Sequence, residues 1–311
     1  MKTNKYLTLL ATIALLATPI LASCSSEDEP EADIHNPTDF FRPADGDNSE
    51  EAQLRRSFFE KYGSYLLFND TLQRKLLGTD INGDPRYFVE TVDLTYTIGQ
   101  TGYGSSQVTY SFTYLDTWEK KTAIHDFAST FILPHFNGAF RPYSWLLTNV
   151  ITGKLGRSIN AETSRPYAAV GQRCIAIAGN YLLLRDRTDA QKTNYANRVL
   201  NIIVGEMVKM HSDAFADFYS VSADYYTLQP SDVSSSGSLK QEDYYRYGFL
   251  GKGGGTLSST LTTRDADLSA YANSIITTPE ETIKSRYADY PLVLQKYDIM
   301  RSILTELGYV F

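Results

Sequence analysis

The sequence predicts an α+β protein in which helices dominate and a small β-sheet completes the fold. Two segments, residues 89–98 and 107–115, alternate apolar and polar side chains as strands do, and Arg173 to Ala178 is a short apolar run typical of a buried strand. After Trp118 apolar residues recur mainly at helical spacing, every three or four residues. Residues 54–311 contain no internal repeat and no long linker, so we expect one domain there.

The first residues have the organisation of a bacterial lipoprotein signal. Lys2 and Lys5 precede an apolar run over residues 6–21, and small residues at positions 22 and 23 lie directly before Cys24. The run is shorter than the ~20 residues that span a bilayer. We therefore expect residues 1–23 to be removed and lipid to be attached to Cys24, which would hold the protein to a membrane. The alternatives are an uncleaved anchor and a plain secretory signal.

Residues 24–53 predict an acidic, disordered tether. They contain ten acidic residues, three prolines and only one basic residue, Arg42. Ser25 is not the aspartate that tends to retain such lipoproteins at the inner membrane. Residues 26–29, Ser-Glu-Asp-Glu, resemble the acidic surface-export tag of Bacteroidetes lipoproteins. This resemblance implies an outer-membrane location that faces the cell exterior.

The charge distribution excludes one class of partner. The tether accounts for the whole negative charge of the mature chain, and the body from Leu54 onward is neutral, with 26 residues of each sign. Domains that bind nucleic acid usually carry a basic excess, so we expect no nucleic-acid partner. A neutral body is compatible with glycan or peptide ligands.

The first half of the predicted domain begins with a helix over residues 54–68 that ends in a short strand at residues 65–68. The two alternating segments flank the glycine-rich residues 99–106, so we expect them to pair as a hairpin. Cys174 lies in the buried-strand pattern and is the only cysteine of the body. We therefore expect a small core residue and no intrachain disulfide.

The second half contains three predicted helices. Asp189 to His211 has apolar residues every three or four positions. Thr278 is the expected N-cap of the second helix, with Pro279 at its first position. The last helix runs from about Leu292 and is expected to end at Gly308.

Several short blocks carry a family resemblance. They are residues 58–63 and 66–68, the helix around Gly205 and Glu206, residues 247–249, and residues 278–281 with 290–293. In these blocks the chain resembles the substrate import-associated zinc metallohydrolase lipoproteins of Bacteroidetes, which have a zincin-like fold and are thought to serve alongside TonB-dependent outer-membrane importers. The resemblance implies a zincin-like domain over residues 54–311.

The resemblance places the family's His-Glu-x-x-His zinc motif on residues 205–209. Histidines at positions i and i+4 hold Zn²⁺ from one helix face, a later helix supplies the third ligand, and the glutamate is the general base. Gly205 and Lys209 occupy the two histidine positions, and only Glu206 is retained. The third ligand aligns with Ala270 or, alternatively, with Asp267. We expect Lys209 to form a salt bridge with Glu206, shared with Asp267.

Two further groups are candidates for binding. His211 lies just beyond the motif, although a histidine at this place also fits a simple helix end, where it would lie near the last carbonyls. Tyr244, Tyr245 and Tyr247 form a cluster that suits glycan or peptide recognition, because tyrosine offers a flat apolar face and a hydroxyl. The alternative is that these tyrosines are ordinary core residues.

Two functions follow from these residues. The first is a non-catalytic accessory protein that needs no cofactor and binds a glycan, a peptide or an importer complex. The second is an active zinc metallohydrolase or metallopeptidase whose metal is held in a non-standard way by Glu206, His211 and Asp267.

Overall fold

Helices and small sheets alternate along the chain, and a computed structural model describes residues 39–92, 94, 108–156, 163–251 and 260–311. Cys24, the signal segment, most of the predicted tether and residues 99–106 lie outside the described residues. Within the described residues there are ten α-helices: α1 Glu50–Tyr62, α2 Trp118–Phe131, α3 Tyr181–Leu184, α4 Asp189–Met210, α5 Ala216–Ser220, α6 Pro230–Val233, α7 Gln241–Tyr245, α8 Arg264–Thr277, α9 Glu280–Arg286 and α10 Pro291–Leu307.

The strands form three small sheets within the described residues. Their bounds are β1 Tyr65–Leu67, β2 Thr71–Thr79, β3 Pro85–Thr91, β4 Val108–Thr113, β5 Ser144–Thr148, β6 Val150–Leu155, β7 Thr163–Ser164, β8 Ala168–Val170 and β9 Cys174–Ala178. The central sheet has the order β1-β5-β9-β8, in which only the β8–β9 pair is antiparallel. The other two are the β2–β3 hairpin and the antiparallel sheet β4-β6-β7. The predicted mixed α and β class is confirmed.

The central sheet is buried on both faces, which explains its apolar sequence. On one face Trp145, Leu147 and Ile177 contact the main core, to which α4 contributes its buried side chains. On the other face Leu146 and Cys174 pack with Ile151 of β6 and with Phe41. Cys174 is fully buried and unpaired, as expected for a core residue, and burial raises the pKa of its thiol to about 12.

The ends of the long helices agree with their sequence signals. The side chain of Thr188 accepts a hydrogen bond from the backbone N–H of Gln191 and begins α4, which ends with His211 at its C-cap. Helix α10 begins at Pro291 and ends at Gly308, whose φ of 103° lies in the left-handed region. A Cβ at Gly308 would also lie 2.1 Å from the carbonyl oxygen of Asn137, so glycine is required there for two reasons.

One predicted helix start was wrong. Thr278 caps the C-terminal end of α8, and Pro279 is the N-cap of α9 without a side-chain hydrogen bond, so the helix begins one residue later than predicted. The segment 108–113 is a strand, as predicted, and it pairs with β6, while Pro85–Thr91 pairs with β2. The predicted hairpin of residues 89–98 with 107–115 falls largely on residues that the structure does not describe, so it stays a prediction. Alternation of side chains identifies a strand but not its partner, because partner choice depends on residues distant in sequence.

The folded body also extends further towards the N-terminus than predicted. Phe41 is only 5% exposed, its ring lies 4.9 Å from that of Tyr143, and its carbonyl accepts a hydrogen bond from Arg55. Helix α1 begins at Glu50, where Ser49 accepts a hydrogen bond from the backbone of Ala52. Residues 40–53 are acidic, but they include the buried Phe41 and the N-terminus of α1. Acidic residues are favoured at a helix N-terminus.

We expect Phe41→Ala to lower the free energy of unfolding by about 3–5 kcal/mol, because it removes a buried aromatic ring from the core. The neighbouring Phe40→Ala is the matched control and should cost less, since Phe40 is only partly buried. Denaturant unfolding of the two variants measures the difference. Equal losses would mean that the residues before Leu54 contribute nothing specific to the fold.

Candidate functional site

Residues 205–209 lie on the last two turns of α4. Met207 and Val208 face the core, whereas Glu206 and Lys209 are exposed. The ammonium of Lys209 donates a hydrogen bond to a carboxylate oxygen of Glu206 at 2.8 Å, and the two side chains are 42% and 52% exposed. The predicted contact is thus confirmed. Because water screens an exposed pair of this kind, it stabilises the helix by only about 0.2–0.5 kcal/mol.

No described neighbour crowds the position of Gly205. A Cβ built at this position meets no described atom within 4 Å, and its backbone is helical. Glycine inside a helix costs roughly 0.5–1 kcal/mol relative to alanine. The described surroundings give no steric reason for glycine here, and a Cβ would fit.

The second carboxylate, Asp267, lies near the beginning of α8 and is completely buried. Its Oδ2 atom forms an ion pair with Lys296 of α10 and accepts a hydrogen bond from the hydroxyl of Tyr226 at 2.5 Å. The predicted sharing of Asp267 with Lys209 was therefore wrong. The cation that neutralises Asp267 comes from another helix, 29 residues further along the chain.

Lys296 is the least expected residue of this cluster, because its whole side chain is buried. Its ammonium lies 4.3 Å from the ring centre of Phe218, 5.0 Å from that of Phe249 and 5.1 Å from that of Tyr271. The electron-rich ring faces partly replace the lost water. Burial lowers the pKa of Lys296, and the nearby Asp267 carboxylate partly offsets that effect.

Burial also changes the titration of the groups that contact Lys296. It raises the pKa of the Asp267 carboxyl, and the Lys296 ammonium and the Tyr226 hydroxyl partly offset the rise. Burial and the Asp267 charge together raise the pKa of Tyr226, which keeps its hydroxyl protonated as a donor. The cluster is consequently one unit of a carboxylate, an ammonium and a phenol, in which Asp267 and Lys296 are fully buried and Tyr226 is partly exposed.

The residues present do not fit a zinc site. Zinc needs three protein ligands from histidine, cysteine, aspartate or glutamate, and within the described residues no three such side chains are grouped to hold a metal ion. Glu206 and Asp267 each bind a lysine instead. His211 ends α4, and its ring stacks on Phe140 at 5.7 Å. The non-standard set of Glu206, His211 and Asp267 is not assembled, and Ala270, the other third-ligand candidate, has no donor atom.

The three candidate tyrosines do not lie together as one exposed patch. Tyr244 is 7% exposed and belongs to a small core cluster with Phe249 and Leu261. Tyr245 lies 4.9 Å from the ring of Tyr287 in the main core, and Tyr247 packs on Tyr225 at 5.0 Å. Packing therefore accounts for Tyr244 fully and for the other two in part.

A recess of about 480 Å³ lies away from these residues, between α2, α3 and the beginning of α4. Phe131 and Tyr181 contribute aromatic faces to it, and the hydroxyl of Tyr181 donates a hydrogen bond to Glu119 at 2.6 Å. Arg185 and Lys192 add cationic groups to the rim. None of the candidate residues inferred from the sequence lines this recess.

Sequence reasoning missed Lys296, although one signal was present. The buried face of α10 contains Val293, Lys296, Met300 and Leu304, so the lysine occupies an apolar position of the helical repeat. A charged residue at such a position needs an internal partner.

Comparison of the chain with protein-family models, with curated proteins and with solved structures finds no match. Among the described residues no helix is both long and apolar enough to cross a membrane.

We expect Asp267→Asn to lower the free energy of unfolding by about 3–5 kcal/mol, because it leaves the Lys296 ammonium buried without a counter-charge. The exposed Asp265→Asn on the same helix is the control and should change the value by less than ~0.5 kcal/mol. Adding Lys296→Met to Asp267→Asn should recover much of the loss. A double variant as unstable as the single one would show that the charge pair is not the cause.

Proposed function

We propose that the protein is a lipid-anchored accessory protein of the outer-membrane surface, with a zincin-like domain that binds a glycan or a peptide and does not use zinc. The observation that carries this proposal is that both carboxylates near the family's metal position are bound to lysines of the same chain, Glu206 to Lys209 and Asp267 to Lys296. An internal ammonium supplies the positive charge but cannot activate water.

The placement of the helices supports the zincin-like part of the proposal. Helix α4, which carries residues 205–209, packs along α8, which carries Asp267 and Ala270. A metal that is bound by two histidines of one helix and by a third ligand from a later helix requires contact between these two helices. Helix α4 also packs against β8 at the edge of the central sheet.

The same residues argue against hydrolysis. In metallopeptidases the metal lowers the pKa of its bound water to about 7, and the glutamate then acts as the general base. Glu206 is exposed and paired with Lys209, and no metal-binding group among the described residues lies beside it to make water a good nucleophile. The alternative of an active zinc hydrolase has no supporting contact in the described residues.

The recess between α2 and α4 offers a place for a ligand. Its aromatic faces and its mixture of acidic and basic side chains suit sugar rings with hydroxyl groups or a short peptide. With this binding role the protein would capture a nutrient at the cell surface and present it to an importer partner.

Zinc binding should be recovered by restoring the family's ligands. The variant Gly205→His, Lys209→His, Ala270→Glu has two histidines at positions i and i+4 beside Glu206, and the open space at Gly205 accommodates the first of them. We expect titration against a chromophoric chelator to show tight zinc binding by this variant. The control carries Gly205→His, Met210→His and Ala270→Glu, which places its second histidine off that face. Equal zinc affinity of the two folded variants would refute the zincin-like alignment.

Anchoring can be tested separately. We expect Cys24→Ala to move the protein out of the membrane fraction, because the variant has no residue for lipid attachment. Protease added to intact cells should degrade the wild-type protein. Protection of the wild type in intact cells, with degradation only after lysis, would contradict the surface location while leaving lipid attachment in place.

A further inference from the structure

The β2–β3 hairpin presents apolar side chains to solvent on both faces. Leu76 and Leu77 of β2 are 57% and 61% exposed, and Tyr87, Phe88 and Val89 of β3 are 42–49% exposed. Isolated apolar residues are common on surfaces, but a contiguous group on one projecting element usually marks an interaction site. A hairpin of two strands is also only marginally stable by itself, so a partner strand would stabilise it.

The outer edge of β3 is the better of the two edges for accepting a strand. Within the described residues β3 pairs only with β2, so its second row of backbone N–H and C=O groups pairs with no other described strand. The register of β2 is interrupted at two places, between Thr71 and Gln73 and between Leu76 and Gly78, whereas β3 has no extra residue. A regular edge pairs more readily than a bulged one.

The sequence of β3 is complementary to itself in the antiparallel direction. If two copies pair about a two-fold axis through Phe88, Arg86 lies opposite Glu90 of the second copy, and Tyr87 lies opposite Val89. The two Phe88 side chains then face one another. Opposite charges, an aromatic with a β-branched residue, and two aromatics are the favourable cross-strand pairs of antiparallel sheets.

Other symmetric registers are less favourable. An axis through Tyr87 would place Asp84 opposite Glu90, which are like charges. Pairing of β2 with itself about its centre would place Lys75 opposite Lys75 and meet both bulges. The charges of the hairpin thus select the β3 edge and the register centred on Phe88.

We propose that β3 is a self-association edge, through which two copies of the chain form a continuous antiparallel sheet with the strand order β2-β3-β3-β2. Such an interface is isologous, because the same residues contribute from each copy. A strand of seven residues gives a small contact, below the ~1,200 Å² of most stable complexes, so the dimer is reversible and is best captured by cross-linking.

The register can be tested with cysteines in the full chain. Residues directly opposite in antiparallel strands have Cα atoms about 4.5–5.5 Å apart, which a disulfide can bridge. We expect Phe88→Cys to form a covalent dimer on mild oxidation, above the level of the wild type, whose Cys174 is buried. Arg86→Cys alone should not cross-link, because its copy lies about 13 Å away along the strand. A mixture of Arg86→Cys with Glu90→Cys should cross-link.

Charge exchange gives an independent test of the same pairing. Arg86→Glu should reduce cross-linking of the Phe88→Cys chain several-fold, because it places two acidic groups opposite one another, and adding Glu90→Arg should restore it. Both positions lie on the exposed hairpin, and circular dichroism of each variant is the control for correct folding. Cross-linking of Arg86→Cys alone as strong as that of the mixture, a Phe88→Cys chain that stays monomeric, or a charge exchange without rescue would overturn the proposal.

Discussion

The ion pair between Asp267 and Lys296 constrains the packing of the C-terminal half of the protein, because neither charge can stay in the interior without the other. It joins α8 to α10, and the Tyr226 hydroxyl links the segment between α5 and α6 to the same carboxylate. Aromatic rings surround the ammonium, so the cation replaces an apolar side chain in a closed core. Any rearrangement that frees Asp267 for another ligand would leave Lys296 unpaired, at a cost of several kcal/mol.

Because of this ion pair, Asp267 does not serve as the metal ligand that the family resemblance implies. A zincin-like site needs carboxylates and histidines that converge on open space, and here the buried carboxylate is neutralised from within. The exposed carboxylate, Glu206, is paired at little energetic gain and lies on a helix face with glycine and lysine at the two positions that the resemblance assigns to histidines. The two lysines thus make a metal unnecessary for charge balance. The uses that we propose for the fold are binding and association, through the recess beside α4 and the edge of β3.

The features that were predicted correctly from the sequence are those that depend on neighbouring residues. The repeat of α4, the end of α10 at Gly308 and the contact from Lys209 to Glu206 all depend on residues within a few positions of one another. The pairings of β3 and β4 and the partner of Asp267 were not predicted, because they join segments that are far apart in sequence. The acidic composition of residues 40–53 predicted a disordered tether, but Phe41 is buried and holds this segment on the folded body. Lys296 was missed because lysine is normally read as a surface residue.

The central claim is that lysines, and no metal, hold the two carboxylates of the site. Elemental analysis of the full chain, purified from cell membranes without chelators, tests it most directly. We expect zinc well below stoichiometric amounts, with the same value for Glu206→Ala. Stoichiometric zinc in the wild-type protein that is lost in Glu206→Ala or His211→Ala would contradict the account and support a metallohydrolase.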